Sequence, residues 1–406
     1  MGAEKLVIMS PHWEGIRYEF ERAFRHWYRT HYRAEVELDW RDLGGGNADL
    51  KFVISEFEQR PHGIGIDVFF GGGVEPFLEL LRRGLLERCG PNLDGIPAEL
   101  GGVPLYDPDG RWFGTALSAF GILYNKRVLA ARNWPVLSTW RELAEHAPFG
   151  SVGSSDPRES SSMHVIYETL LQCYGWEEGW RIIYQLGSKV RQFDLLSSTT
   201  AKQCAVGNTA YALAIDFYAF TQIAAAGKDN MGFVLPQDCV VINPDCIGIL
   251  RGAPNRAVAE KFVEFCLSEA GQNLFMLPRG HPNGPVRFSI ERMSVRPALY
   301  QRWRDVTLVP TNPFAESRGF RYDAAKDTAR SATVNALIGA TIVDVHPELV
   351  RAARMGLVPR QPPVSEAEAI LVARELRSDP GLRVRKELQW QRWAYERYRA
   401  KPHEAF

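Results

Sequence analysis

The chain has no C-x-x-C pair among its six cysteines, Cys89, Cys173, Cys204, Cys239, Cys246 and Cys266. A zinc ribbon and a thioredoxin motif are therefore excluded. No apolar run approaches the roughly 20 residues that span a bilayer, so no membrane span is expected. Neither charge sign prevails: Lys plus Arg equals Asp plus Glu, 48 each. Such a balance gives no chain-wide footprint for nucleic acid or anionic lipid, and no nucleic-acid partner is expected. The G-x-S-x-G, H-E-x-x-H and G-x-x-x-x-G-K signatures are missing. Gly63-x-Gly65 is not extended to a dinucleotide fingerprint, and the nine histidines are scattered with none at i, i+4. No catalytic residue, metal ligand set or cofactor is expected. Internal repeats, low-complexity tracts and the apolar stretch of a secretory leader are also missing.

What is present is an ordinary globular composition. The 406 residues are 45% hydrophobic and 24% charged, with 11 Trp and 21 Phe for large cores. That length predicts two or three domain-sized units. Cys173, Cys204 and Cys266 fall in helix-like segments and read as buried thiols. Cys239 and Cys246 are close enough in sequence to bridge in an oxidising compartment, if their Cα geometry permits.

The first hundred residues alternate strand and helix. Leu6 to Met9 reads as a strand. Ile16, Phe20, Phe24, Trp27 and Tyr28 recur at helical spacing from Glu14 to about Tyr32. Val36, Leu38 and Trp40 alternate with acidic residues as in a strand. A helix bearing Leu50, Val53, Ile54 and Phe57 follows, then a strand Ile66 to Phe70, then a helix bearing Phe77, Leu78, Leu81 and Leu85. This β-α order predicts an α/β protein with a mostly parallel sheet. The apolar segment Trp112 to Asn125 reads as a crossing to a second α/β region, and Val240 to Leu250 as the crossing back. Between them, Lys189 to Phe193 and Tyr211 to Ile215 read as strands. The remainder is helix-rich, with proline breaks near Leu308 to Pro313 and Leu357 to Val364, and an aromatic, basic final helix.

In such sheets ligands bind beyond the carboxyl ends of the strands. The strand-to-helix loops therefore supply the candidate contacts. The first loop gives Ser10 and His12, the second Gly45 and Gly46, the third Gly72. Glycine lets backbone N–H groups approach a ligand, and a helix N-terminus favours anions; tight turning alone is the other reading of these glycines. Ser118 lies in the crossing segment. Ser154, Ser155, Ser160, Ser161 and Ser162 surround Asp156 and Arg158. N-capping accounts for one serine but poorly for five, so an anion cradle with Arg158 as clamp is expected. Ser198 lies in a Ser-Ser-Thr-Thr run at a helix start, where capping and binding remain open. Asp216 either binds ligand or caps the helix beginning at Phe217, and Tyr218 either ligates or packs. Ser10 and His12 are sequence neighbours, which does not by itself make a nucleophile and base.

Several segments, in order and spacing, resemble one family. They are Ser10-Pro11-His12, Gly44-Gly45-Gly46, Asp67 to Gly73, Gly121 to Lys126, Thr139-Trp140, Asp156 to Ser160, Ile215 to Tyr218, and Gly252-Ala253-Pro254 before a helix ending near Gln272. The chain from Leu6 to Leu274 resembles the periplasmic solute-binding proteins of ABC importers in the ferric-iron-binding group, also called extracellular solute-binding protein family 1. The resemblance implies the two-lobed type II periplasmic-binding-protein fold, with a hinge of two crossing strands and a ligand captured between the lobes by hinge closure. Residues 1–114 and 246–300 are expected in lobe 1, 115–245 in lobe 2, and 301–406 in a helical region packed mainly on lobe 1. The resemblance also implies a removed leader, with Met1-Gly2 as an artificial start. It further implies a periplasmic or extracytoplasmic location, a monomeric state and docking to an ABC permease. Ferric-binding members hold iron with two adjacent tyrosines, but this chain has Asp216-Phe217-Tyr218 there and no Tyr-Tyr pair. Members with an acidic residue at that place resemble binders of phosphorylated sugars or phosphonates. A small polar, anionic ligand is therefore expected, with ferric iron as the alternative. A ligand sensor or an enzyme on the same fold is the alternative from another class.

Overall fold

A computed structural model describes residues 3–307, 309, 311–316 and 320–399. Met1-Gly2, both Leu308 and Pro310 of the proline break, and the last seven positions of the final helix region lie outside the described residues. In chain order the strands are β1 (Glu4–Met9), β2 (Val36–Arg41), β3 (Val68–Phe70), β4 (Glu99–Leu100), β5 (Val103–Pro104) and β6 (Phe113–Asn125). They continue with β7 (Val152–Ser155), β8 (Val190–Asp194), β9 (Tyr211–Ile215), β10 (Met231–Val234), β11 (Ile242–Ile249) and β12 (Met293–Ser294). The chain forms two compact units. Unit 1 holds Met1–Ser118 and Ile242–Gly319; unit 2 holds Ala119–Val241 and Phe320–Phe406.

In unit 1 the strands run in the order β2-β1-β3-β11. β1 is parallel to β2, with Glu4 opposite Val36, and to β3, with Ile8 opposite Val68. β11 is antiparallel to β3, with Ile247 opposite Phe70. β12 pairs with the first half of β6, Met293 opposite Leu117. The expected strand from Ile66 runs in ladder register only from Val68. Just before it Asp67 bonds by backbone to Val7 and Leu250, at 2.9 Å each, and its buried carboxylate also takes the Val7 N–H at 2.8 Å and the Asn255 N–H at 2.6 Å. The helix Glu14–Tyr32 buries Ile16, Phe20, Phe24 and Tyr28, spaced at four residues along one stripe. Phe20 meets Phe275 at 4.9 Å between ring centroids, and Phe24 meets Phe262 at 5.0 Å, an aromatic core of tilted and edge-on rings. Arg33 ends the helix in the left-handed conformation.

In unit 2, β9 is antiparallel to β6 (Phe120 opposite Ile215), and β7 is parallel to both β9 and β8. β10 pairs antiparallel with β6, Met231 opposite Asn125. Helix Ser161–Tyr174 starts on a Ser160 cap, whose hydroxyl accepts from the Met163 N–H. Helices Trp176–Lys189, Ser197–Ala205 and Asp216–Ala226 complete the α/β part.

The C-terminal region departs from expectation. Phe320–Phe406 belongs to unit 2, whereas 301–406 was expected mainly on lobe 1. The physical reason is a buried polar network on helix Ala324–Ile338. Arg330 Nη2 donates to Glu168 Oε1 at 2.7 Å, with both side chains fully buried. His164 faces Asp327 at 2.7 Å and Asn335 at 2.7 Å, and the Tyr322 hydroxyl donates to Asp327 at 2.7 Å. A five-residue π segment, Gly339–Val343, follows this helix, and the Thr341 carbonyl accepts from the Tyr398 hydroxyl of the last helix.

Candidate ligand-binding sites at the strand ends

In unit 1 the carboxyl ends of β1 and β3 and the amino end of β11 share one edge of the sheet, because β11 runs antiparallel. Ser10, His12 and Gly72 follow the first two ends, and Asp245 lies in β11. Ser10 Oγ is 3.0 Å from His12 Nδ1, and His12 Nε2 is 2.7 Å from Asp245 Oδ2. Asp245 Oδ1 accepts from the Gly72 N–H, and Oδ2 also accepts from Arg292 Nη1. Arg292 Nη2 then donates to Ser118 Oγ at 2.8 Å. Four expected residues, Ser10, His12, Gly72 and Ser118, thus sit on one hydrogen-bonded chain through Asp245 and Arg292. Burial opposes the charge on Asp245, but the Arg292 guanidinium and His12 outweigh it and hold the carboxyl well below the usual range. Gly71 permits this convergence. Its φ is +117°, and a Cβ there would lie 3.1 Å from both Pro11 Cδ and His12 Cε1.

A hydroxyl, an imidazole and a carboxylate in line invite a nucleophilic reading. Ser10 is fully buried, however, and Asp245 is already engaged by Arg292 and the Gly72 N–H. An attacking oxygen must reach substrate; this one braces the loops instead. The β3 loop leads into a helix start, as does the separate β2 loop, where Asp42 Oδ1 accepts from the Gly44 and Gly45 N–H groups at 2.9 and 3.2 Å. Helix Gly46–Gln59 begins on Gly45 and helix Val74–Arg82 on Gly73, each without a side-chain cap. Gly45 is half-buried with φ +129°, and Gly46 is the first helical residue.

In unit 2 the carboxyl ends of the parallel strands β7, β8 and β9 carry Ser155, Asp194 and Asp216. Ser154 Oγ pairs with the Tyr167 hydroxyl at 2.9 Å, and Ser155 Oγ with Thr200 Oγ1 at 2.7 Å. Thr200 in turn donates to Asp194 at 2.9 Å. Ser160 Oγ bonds Ser197 Oγ, joining two helix starts. Ser154 and Ser155 are fully buried, so their hydroxyls tie the sheet to its helices. Ser161 is exposed and Ser198 half-buried, each within the first two residues of its helix.

Arg158 donates through Nε to both oxygens of Asp156, at 3.0 Å each, and through Nη2 and Nη1 to Asp344 at 2.7 and 3.1 Å. Burial disfavours the charge, but the two carboxylates raise Arg158 above the ordinary guanidinium value. Its fork is occupied by protein carboxylates. Asp216 is buried, and its oxygens accept from the Ala119 N–H at 3.0 Å and the Phe217 N–H at 2.7 Å. Tyr218 lies half-buried against Phe217, ring centroids 4.2 Å apart, and packs on the core around Leu123 and Ala219.

Sequence reasoning missed Asp245 and Arg292. An aspartate inside the apolar run Val240 to Leu250 was a usable signal for the first. Arg292 gave none, since it lies in an irregular stretch. All six cysteines are free thiols; Cys239 lies in unit 2 and Cys246 in unit 1, and they are not bridged. Two open grooves lie elsewhere. One of about 500 Å³ on unit 1 is lined by Tyr18, Arg22, Arg25 and Arg29, and one of about 770 Å³ on unit 2 by Trp176, Pro362 and Ile370. None of the candidate residues lines either. Among the described residues, no group of three or more His, Cys, Asp and Glu is placed to hold a metal ion. None of the described helices is long and apolar enough to cross a membrane.

Comparison with known proteins places this geometry. The chain is 28% identical over 160 residues to the phosphoglycerate transport regulatory protein PgtC of Salmonella typhimurium, covering 39% of each chain. The match thus spans about two fifths of that curated relative's length. Among solved structures, the periplasmic binding protein AfuA of Actinobacillus pleuropneumoniae, with fructose-6-phosphate bound, superposes at a TM-score of 0.57 with 20% identity, over 67% of this chain and 82% of that one. Iron-bound HitA of Pseudomonas aeruginosa superposes at 0.61 with 18% identity, over 79% and 94%. The fold is that of type II periplasmic binding proteins. A family model, bacterial extracellular solute-binding protein, matches residues 73–285, just over half of the chain. The chain belongs to the family of bacterial extracellular solute-binding proteins.

Proposed function

We propose that this protein is the extracytoplasmic substrate-binding component of an ABC importer, and that its ligand is small, polar and anionic, phosphorylated or phosphonate-like. It binds without catalysis and hands the ligand, as a monomer, to a membrane permease. The observation that carries the anionic reading is the pair of glycine-started helices of unit 1. Backbone N–H groups at such starts, backed by the helix dipole, favour negative charge. The neighbouring Asp245 is offset by Arg292. At the Gly46–Gln59 start Asp42 accepts from the Gly44 and Gly45 N–H groups and Asp49 lies in the first turn, so an anion there has to outcompete those carboxylates. The family membership supports the receptor role. The names of PgtC and of fructose-6-phosphate-bound AfuA support a phosphorylated ligand, and iron-bound HitA keeps ferric iron as the competing reading.

A thermal-shift panel of ligand-stripped protein separates them. A ligand at 100 times its dissociation constant adds about 2.7 kcal/mol. Phosphoglycerates, sugar phosphates and phosphonates should include one that raises Tm, while ferric citrate should not. The Gly46→Asp variant places a carboxylate at the helix start. Gly46 tolerates a side chain, since a Cβ there meets only Pro11 Cγ, at 3.8 Å. The variant should keep the unliganded Tm and lose the ligand shift. A shift with ferric citrate alone would overturn the anionic reading.

A further inference from the structure

Cys173 lies in the last turn of helix Ser161–Tyr174, and Cys239 lies in the segment just before the chain leaves unit 2 at Val241. Both belong to unit 2, and their thiols lie close enough to perturb each other's charge. Cys173 Sγ also donates to the carbonyl of Asp238, the residue before Cys239, at 3.7 Å. The segment is held in place: Trp140 Nε1 donates to the Cys239 carbonyl at 3.1 Å, and the Asp238 carboxylate accepts from the Arg141 N–H at 3.2 Å and from the Tyr174 hydroxyl. The Cys173 thiol is thus set against the segment that carries Cys239, and that segment is pinned by bonds to Trp140, Arg141 and Tyr174 that involve neither sulfur. We propose that Cys173 and Cys239 are a disulfide-forming pair, closed by thiol–disulfide exchange with a small disulfide oxidant.

The siting supports the chemistry. Extracytoplasmic compartments sustain disulfides, and this half of the inference rests on the proposed location. Cys173 is half-buried and therefore reachable, whereas Cys239 is buried. That exposure marks Cys173 as the attacking thiolate, and the neighbouring Cys239 thiol draws the Cys173 thiol below its ordinary value. It attacks one sulfur of the oxidant and expels the other as a thiolate. Once Cys173 is a mixed disulfide it no longer carries charge. Cys239 then loses its proton to water and attacks Cys173 Sγ, releasing the second thiol. Two S–H bonds are lost, one S–S bond forms, and two electrons and two protons reduce the oxidant's disulfide to two thiols. The remaining cysteines are poorly placed to compete. Cys204, Cys246 and Cys266 are buried, and burial pushes the Cys89 thiol up to about 12.

The test needs no assumption about location. The full chain is incubated natively with oxidised glutathione, its free thiols are alkylated in denaturant, and the digest is mapped by mass spectrometry. The expected result is one cross-linked peptide pair joining Cys173 and Cys239, 2 Da lighter than the two thiol peptides together. It should come with a rise in Tm that dithiothreitol reverses, and Cys173→Ser should show neither. Full alkylation of both residues after oxidation, or a bridge from Cys239 to another cysteine, would overturn the pairing. If the bridge forms in vitro but is missing from protein recovered from its native cells, the pairing stands and the proposed location fails.

Discussion

Asp245 and Asp49 are both buried aspartates of unit 1, and their surroundings drive them in opposite directions. Asp245 faces Arg292 and His12 and stays ionised. Asp49, in the first turn of helix Gly46–Gln59, has Oδ1 accepting from the Leu43 N–H at 2.8 Å, while Oδ2 is buried with no hydrogen-bond partner. Burial pushes it up to about 6. The folded value therefore exceeds the unfolded one. The associated stability is fully present below about pH 4, near the unfolded value, and is lost as pH rises through 6. The loss is up to about 3 kcal/mol. Thermal unfolding of the wild type and Asp49→Asn from pH 4 to 7 should show it. The stability difference between the two should shift in favour of the variant as pH rises; a constant difference would refute the account. At this scale the sequence was partly legible. Ser10 and His12 stood out as polar residues after an apolar strand. Arg158 stood out too, but its partner Asp344 lies 186 residues away, and a sequence cannot show that a cation is already matched. The serines at 154 and 155 read as ligand contacts because hydroxyls on a strand end look available; Tyr167 and Thr200 take them up.

Helices and strands were the most legible level where one face is apolar. Helix Glu14–Tyr32 and strand Tyr211–Ile215 have the ends that their periodicity predicts. The C-terminal helices were legible as helices but not in their placement. Helix Ala324–Ile338 buries Asp327, Arg330 and Thr333, residue types that a pattern reading assigns to solvent. Its contact with helix Ser161–Tyr174 includes the Arg330–Glu168 pair and the bonds of His164 to Asp327 and Asn335. Burial, with Asp327 nearby, pushes Glu168 up while Arg330 draws it down. Arg330→Ala should cost about 3–5 kcal/mol in urea unfolding, because an uncompensated carboxylate is left inside. Replacing both partners with leucine should recover most of that loss. A cost under about 1 kcal/mol for the single variant would mean that the pair is solvated.

At the scale of the whole molecule, the strand order within each unit follows rules that a sequence carries: parallel neighbours joined by helices, and loops at one edge. The exchange of chain between units is less legible. The chain leaves unit 1 within β6, after Ser118, and returns at the start of β11. It enters unit 2 again at Phe320, a crossing that no apolar segment announces. Membership of the solute-binding family supports the receptor role, and the central proposal is that the protein holds a single small anionic solute. Native mass spectrometry of the ligand-stripped chain, after incubation with an equimolar mixture of phosphoglycerates, sugar phosphates, phosphonates and ferric citrate, tests it most directly. The account predicts one adduct per chain, with the mass of a phosphorylated or phosphonate compound. An adduct of iron alone, or a chain that stays bare at millimolar concentrations of every compound, would contradict it.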